Sequence, residues 1–334
     1  MSKRMKIDWA VTPPVCAPKQ LGVQHITGFP LTDVMEYIDW SPFFQTWELR
    51  GRYPNRGYPK IFNDERVGEE ARKLYADATK MLAEIVEGNL LELRASHGVW
   101  CANADDNHED ILIYGSEEER TQAPIATFAC LRQQLEKESE DPYMSLADFV
   151  APQSSGLKDY VGMFAVGVFG CDKLVAKYEA ENDDYSKIMA QALADRLAEA
   201  FAEVLHRDMR KETWGYSANE SLDNSDLLKI KYQGIRPAPG YPSQPDHTEK
   251  RTMWNLLQAD KAIDLQLSDS LAMMPASAVS ALVFGHSEAK YFAVGAIEKD
   301  QVQSYAARKG DDLKTVERWL APILNYDDAR DARK

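Results

Sequence analysis

The sequence predicts an α+β fold: a central twisted antiparallel sheet flanked by long helices, elongated or curved in outline and built as one domain over residues 1–334. Three observations predict it. Glu65 to Glu87 and Tyr185 to Trp214 carry apolar residues at helical spacing. Asp159 to Phe169, with Val161, Phe164, Val166 and Val168, reads as a central strand. Val279 to Phe284 and Tyr291 to Ile297 flank a Gly285-His286-Ser287 turn and read as a strand pair. Long helices mixed with hairpin-like strands favour an antiparallel sheet over repeated βαβ units.

The elements follow in order. Residues 1–30 are rich in proline and turn residues and have little period, so an extended segment packed along a surface is expected. Leu31 to Trp47 reads as a helix start, with Thr32 or Asp33 as cap and Val34, Tyr37 and Ile38 at helical spacing. In Glu65 to Glu87 the stripe is Ala71, Leu74, Tyr75, Ala78, Met81, Leu82 and Ile85. Val99-Trp100 and Ile111 to Tyr114 are short strands. Ile125 to Leu131 is a strand leading into the charged Gln133 to Asp141. On the longest helix, Ile188, Leu193, Leu197, Phe201, Val204 and Leu205 share one stripe. Thr252 to Ile263 and Thr315 to Leu320 are helical.

Bulk properties narrow the function. A chain that is 44% hydrophobic and 10% aromatic can build a core, and a formal charge of −14 disfavours nucleic acid or an anionic membrane as partner. Cys16, Cys101, Cys130 and Cys171 are far apart, with no zinc spacing, and no apolar signal region follows Met1. A cytoplasmic, reduced chain is expected. No apolar run approaches the roughly 18 residues of a membrane helix.

Familiar chemical motifs are missing. Gly162, Gly167 and Gly170 do not form G-x-G-x-x-G, and there is no phosphate-binding G-x-x-x-x-G-K-[ST] or nucleophile elbow. No catalytic side chain and no metal site is expected. Asp106-Asn107-His108 begins like a cobalamin-binding D-x-H-x-x-G, but Ile111 stands where glycine is needed, and a solvated loop is the better reading. Asp246 and Glu249 read as a capping-box-like helix start; His247 between them reads as a surface residue ahead of a functional one. Trp40, Phe43, Phe44 and Trp47 read as core. Glu199, beside the stripe of the longest helix, is by pattern alone a solvated residue more often than a cleft residue.

The most informative stretch is Arg236-Pro237-Ala238-Pro239-Gly240-Tyr241-Pro242. Its three prolines fix φ, and Arg236, Ala238 and Tyr241 each precede one, so the run is extended and stiff. Such a strand, with free carbonyls, suits a small polar ligand better than a sheet.

Taken together these segments resemble the activation domain of cobalamin-dependent methionine synthase, its C-terminal S-adenosylmethionine-binding module. The likeness runs through Ile7-Asp8-Trp9, Thr12-Pro13-Pro14-Val15, Leu21-Gly22-Val23-Gln24 and the run from Tyr37 to Phe44. It continues in Asp195 to Glu203, Arg236 to Lys250, Ser277 to Ser280, Lys290-Tyr291 and Glu317 to Pro322. The Arg-x-x-x-Gly-Tyr signature stands as Arg236, Gly240 and Tyr241. Residues 97–121 and 136–141 are the least familiar.

The resemblance implies a function. Cobalamin that has been oxidised to inactive cob(II)alamin is restored to methylcobalamin by S-adenosylmethionine and an electron from a flavodoxin-like or other flavoprotein donor. The cobalt is the nucleophile, so the protein positions rather than attacks. The resemblance implies that Arg236 receives the ligand's carboxylate and Asp39 its α-amino group. It gives the adenine to backbone around Ala238, and close backbone approach to Gly240. Tyr241 and Tyr291 belong to the implied site, where aromatic faces favour a sulfonium. Glu199 lies near the sulfonium end, and Phe292 offers backbone contacts. The homocysteine, folate and cobalamin domains are expected to be absent from this chain, so it should not make methionine alone, and its partner is a cobalamin-binding domain. A basic face for the electron donor is expected from Lys229, Lys231, Lys250 and Arg251. The alternative is a non-catalytic docking module for the cobalamin domain and the electron donor.

Overall fold

The structure, a computed structural model, describes residues 3–137 and 139–326. Met1 and Ser2 of the expected N-terminal segment and Glu138 of the charged segment lie outside the described residues.

The sheet is built on two long strands, β2 (Glu92–Ala104) and β5 (Asp159–Phe169), antiparallel from Glu92↔Phe169 to Ala102↔Asp159. The other edge of β2 is shared. β1 (Gly22–Phe29) pairs with its first half and β3 (Asp110–Tyr114) with its second, and β4 (Ala126–Ala129) extends the sheet beyond β3. β8 (Ala278–Val283) closes the far side against β5, after a two-stranded pair of β6 (Gln266–Leu267) and β7 (Met273–Met274). All of these pairings are antiparallel.

Both faces of the sheet are covered, and β5 shows why it reads as nearly continuous apolar sequence. Tyr160, Phe164, Val166 and Val168 face one core, while Val161, Met163 and Ala165 face the other. The first core is roofed by α1 (Thr32–Met35), α2 (Trp40–Thr46), α3 (Gly68–Glu87), α4 (Cys171–Ala180) and α5 (Asp184–Asp208). A further short helix, α6 (Asn224–Leu227), precedes the proline-rich run. The second core is covered by α7 (Glu249–Leu257), α8 (Ala259–Ala262), α9 (Lys299–Lys309) and α10 (Leu313–Leu320). The α+β expectation is met, and Trp40, Phe43 and Phe44 are core as expected.

Several elements differ from expectation, each for a local reason. The expected partner of β8, Tyr291 to Ile297, forms no strand with it. The outer edge of β8 is already taken by the proline-rich run: Ile235 and Phe284 exchange two hydrogen bonds of 2.9 Å, and Leu282 N–H donates to Pro237 O at 2.9 Å. Residues 294 and 297 bond instead to Pro242 O and Ile323 O. The Leu31 to Trp47 helix is two short helices, because Asp39 leaves the helical region and caps α2. β2 is far longer than Val99-Trp100, since Ser96, His97 and Gly98 interrupt its apolar pattern without breaking the ladder. Gly22 to Phe29 is a paired strand rather than a surface run. Thr252 to Ile263 divides at Gln258, whose φ is 50°. The long helix ends at Asp208 and continues as a π turn over Met209–Thr213. α4 and α9 were not expected, although Leu174 and Tyr178 on α4, and Val302, Tyr305 and Ala306 on α9, stand at helical spacing and are buried.

His97 gives the fold a pH signature. It is 4% exposed, and Nδ1 has no partner among the described residues. Burial, with His25 nearby, pushes its pKa down to about 4. An unfolded histidine titrates near 6.5, so between these values the unfolded chain binds more protons. The contribution is therefore complete above about 6.5 and is lost, by up to about 1.4 kcal/mol per pH unit, as pH falls toward 4. His97→Gln lacks this proton uptake. Urea unfolding at pH 7 and pH 5 should show its stability relative to wild type improving at the lower pH. An identical difference at both values would contradict the assignment.

Candidate functional site

The proline-rich run is held by the sheet on one edge and presents its other edge to the helices. Antiparallel pairing alternates, so the amides bonded to β8 belong to Ile235 and its register mates. The Arg236 and Ala238 amides face away, and Arg236 N–H donates to the Tyr291 hydroxyl at 2.9 Å. The expectation of free carbonyls thus fails at Pro237, whose oxygen serves β8, and at Ala238, Tyr241 and Pro242, whose oxygens accept from Tyr241, Gln244 and Val294 N–H.

Beyond Pro239 the chain makes a braced turn. Tyr241 N–H donates to Ala238 O, Gly240 N–H to Gln244 O at 2.7 Å and Gln244 N–H to Tyr241 O. Val294 N–H donates to Pro242 O at 2.8 Å, and Ser243 Oγ bonds both the N–H and the C=O of Phe292. The Phe292 backbone is therefore committed to this brace, and its ring packs on Phe149. Tyr241 and Tyr291 are exposed, 65% and 42%. Gly240 has φ +95°, and a Cβ there would lie 2.1 Å from Cε1 of His247. His247, expected at the surface, is half-buried against this glycine.

Arg236 reaches from the run to α5. Its Nη2 donates to Glu203 Oε2 at 2.6 Å, with the two side chains 19% and 10% exposed. Burial opposes the guanidinium charge, but Glu203, Tyr232, Tyr291 and Glu199 outweigh it and raise the pKa further. Glu199 is exposed one turn along α5. Glu199, Glu203, His206 and Arg210 follow i, i+4, i+7 and i+11, one polar stripe running along α5 into the π turn.

Behind Arg236 the stripe continues as a wired cluster. Arg210 forks onto Glu220 at 2.8 and 2.6 Å and donates to His206 Nδ1 at 2.8 Å. Tyr232 lies edge-on to His206 and under the Arg210 guanidinium, and its hydroxyl meets Tyr291. Burial, then Arg210 and Arg236, hold the His206 pKa well below its usual value, so the ring is neutral at pH 7. Three buried atoms here have no partner among the described residues: Arg236 Nη1, Glu203 Oε1 and His206 Nε2. Gln244, 4% exposed, has neither amide atom paired.

The expected site residues fall into one joined group and one outlier. Arg236, Tyr291, Ala238, Gly240, Tyr241 and Phe292 share the braced run, with Glu199 felt by Arg236 across the gap. Asp39 stands at the start of α2, where Oδ1 accepts from Ser41 N–H at 2.9 Å. Glu203, His206, Tyr232 and Gln244 were missed. The i, i+4, i+7 polar stripe was the available signal for the first two.

The capping-box expectation is corrected. Asp246 does accept from Thr248 N–H at 2.8 Å, but Glu249 turns inward and is 1% exposed. It meets Lys309 and Tyr305, and burial pushes its pKa up to about 7 against the opposing Lys309. Of the expected basic face, Lys250 is buried with Nζ on Leu271 O and Lys231 is paired with Asp226, while Lys229 and Arg251 are exposed. Asp106 to His108 is a turn with Asp106 and Asn107 exposed, but the His108 side chain is only 12% exposed and so is not part of a solvated loop.

A cavity of about 840 Å³ lies elsewhere, lined by Lys3, Arg4, Arg132 and Arg308 among others, and holds none of these residues. Among the described residues there is no metal-ligating cluster and no helix long and apolar enough to cross a membrane. Gly240→Ala should cost about 1–3 kcal/mol, the range for forced backbone strain, measured by thermal denaturation. Adding His247→Gly should recover only the clash and leave the strain at φ +95°. Full stability in the single variant would contradict the geometry.

Two comparisons bear on this arrangement. The family described as vitamin B12 dependent methionine synthase, activation domain, matches residues 30–310. A crystal structure of the MetH reactivation domain bound to AdoHcy superposes with a TM-score of 0.91 at 48% identity, covering 98% of this chain and 97% of that one.

Proposed function

This chain belongs to the vitamin B12-dependent methionine synthase activation-domain family, and from that premise we propose that it binds S-adenosylmethionine and supports the reductive remethylation of cob(II)alamin. In this reading it is part of a methyltransferase that also needs a cobalamin-binding domain and a flavoprotein donor. The carrying observation is the unpartnered Nη1 of Arg236, a buried cationic donor held ready for a carboxylate.

The residues fit such a ligand. Arg236 receives the carboxylate. The outward Ala238 N–H offers a donor to a planar base, beside the turn that Gly240 allows. Tyr241 and Tyr291 are exposed aromatic faces, and Glu199 is an exposed carboxylate suited to a sulfonium. When bound, S-adenosylmethionine supplies the methyl group. The chain's own part is to hold and orient it. The docking-only alternative is disfavoured by the retained fork of Arg236.

The electron donor is assigned a different surface from the one first expected. Arg50, Arg52, Arg56 and Lys60 are exposed, and no carboxylate lies between Glu48 and Asp64. Tyr53 in this loop is 88% exposed. The loop adjoins Asp39: Tyr58 N–H donates to Ser41 Oγ at 3.1 Å, and Tyr58 packs on Trp40. A cationic loop on an acidic chain suits an acidic flavoprotein.

Two outcomes test these assignments. Arg236→Lys keeps a cation for Glu203 but removes the fork. Calorimetric titration should show S-adenosylmethionine binding weakened by about 1.5–3 kcal/mol, the range for a hydrogen bond to a charged group. Wild-type affinity would remove the carboxylate role. Arg52→Glu with Arg56→Glu should slow cob(II)alamin loss, followed by its absorbance with a cobalamin-domain fragment and an acidic flavoprotein, by roughly tenfold or more at low salt. The affinity for S-adenosylmethionine should stay unchanged. An unchanged rate rules that loop out.

A further inference from the structure

We propose that the cavity of about 840 Å³ beside the end of β4 is a second small-molecule site, taking an anion that carries phosphate or carboxylate groups. It is separate from the Arg236 run and does not rest on the function read there.

The volume falls in the roughly 300–1,000 Å³ range of small-molecule pockets. Five stretches of chain line it, within 3–6, 107–109, 130–134, 143–145 and 300–308, the last on α9. β4 is one edge of the main sheet and β8 the other, with β3, β2 and β5 between. Four strand steps of about 4.8 Å put those edges about 19 Å apart. The Arg236 run lies beyond β8, and none of its residues lines the cavity.

The walls are fastened before any ligand arrives. Arg132 forks onto Asp148 at 2.5 and 2.8 Å and also holds Tyr143 O and His108 O, at 2.9 and 2.8 Å. Arg308 ties α9 to Glu109 O, Cys130 O and Asp110. Gln301 accepts from Arg132 N–H at 2.7 Å and donates to Arg132 O at 3.0 Å. The N-terminal segment is laced on by Tyr143, whose N–H donates to Lys3 O and whose carbonyl accepts from Met5 N–H. A cavity held this way loses little conformational freedom on binding.

The free hydrogen-bonding capacity of the lining is cationic. Carboxylates nearly match the cations in number, but they are already engaged. Asp148 serves Arg132, while Asp110 and Glu109 serve Arg308. Asp300 Oδ1 accepts from Gln134 Nε2 and Gln301 N–H, at 2.7 and 2.8 Å. Lys3 is paired with Glu140 at 3.3 Å. Arg4, by contrast, spends one nitrogen on Asn107 O, and Lys6 has no partner among the described residues. The side chains of Asn107, Tyr143 and Ser304 also line the cavity and hydrogen-bond to no described residue.

A cationic ligand would have to compete for carboxylates in use, whereas an anion finds donors that are idle. Arg4 and Lys6 together suit a ligand with more than one negative charge. A chain of net charge −14 offers an anion no long-range attraction, so recognition has to come from this local set. Asn107 and His108 belong to the turn that the Arg236 run leaves without a role. Burial, then Arg4, hold the His108 pKa below its usual value, so at pH 7 the ring is neutral and the cations there are the lysines and arginines.

The test titrates the whole chain calorimetrically with tripolyphosphate and, separately, with citrate, in metal-free buffer at constant ionic strength. Folded wild type should bind at least one probe with a Kd of about 1 mM or tighter, and the preferred probe tells phosphate from carboxylate recognition. Arg4→Glu with Lys6→Glu should weaken that binding by about tenfold or more, the loss of a charged hydrogen bond. Lys73→Glu with Lys173→Glu makes the same change in net charge at exposed positions of α3 and α4, and should weaken it by less than about threefold. Ser304→Trp fills the cavity without altering charge and should also weaken binding by about tenfold or more. No binding of either probe by folded wild type, equal losses in the two charge-reversed pairs, or wild-type affinity in Ser304→Trp each overturns the proposal. If melting shows Ser304→Trp unfolded, Ser304→Leu replaces it and must weaken binding by about threefold or more; unchanged affinity there overturns the proposal.

Discussion

The ion pair between Arg236 and Glu203 is the interaction on which the site depends. It joins a strand-like run at the edge of the sheet to the long helix that covers the sheet. Neither side chain is at ease there alone. Removing a charge from water costs several kcal/mol, and losing one partner of a buried pair leaves the other uncompensated. The pair is thus weak evidence for stability, but it fixes geometry: the guanidinium can point in few other directions once Glu203, Tyr291 and the backbone around it are set.

Rigidity reaches that pair from two sides. On the sheet side, Ile235 and Pro237 borrow the outer edge of β8, which fixes the run to a strand whose other edge is paired with β5. The prolines remove conformations the run would otherwise have to give up on binding. On the helix side, Glu203 sits on α5, which is anchored by the largely buried face from Leu193 to Leu205. The turn after Pro239 is braced to residues 292–294 through Ser243. Three stretches far apart in sequence therefore hold one small constellation, with no nucleophile or metal ligand called for by the chemistry.

Much of this was legible in the sequence. The helix of residues 68–87 and the strand Asp159–Phe169 stand where periodicity puts them, because each buries a regular face. Arg236, Gly240 and Tyr291 emerge from the run and from the family likeness. The rest was hidden for physical reasons. β2 carries Ser96, His97 and Gly98, which break its apolar pattern while the ladder holds on both sides. Tyr291 to Ile297 has strand-like composition, but the edge it needed is filled by residues 235–237. Proline, which argues against a central strand, is compatible with just such an edge. Glu203 looked like any helix glutamate, and the stripe it shares with His206 and Arg210 becomes meaningful only when a cation from a distant run lies over it. Glu249 matched a capping pattern, yet Lys309 from α9, distant in sequence, draws it inside.

The central claim is that the ligand's carboxylate docks on the free Nη1 of Arg236. A crystal structure of this chain with S-adenosylmethionine bound tests it most directly. The account predicts the ligand carboxylate within hydrogen-bond distance of Arg236 Nη1, with the Nη2–Oε2 bond to Glu203 kept. Ligand bound elsewhere, as in the cavity beside Arg132 and Arg308, or at this site with Nη1 still unpaired, would contradict it.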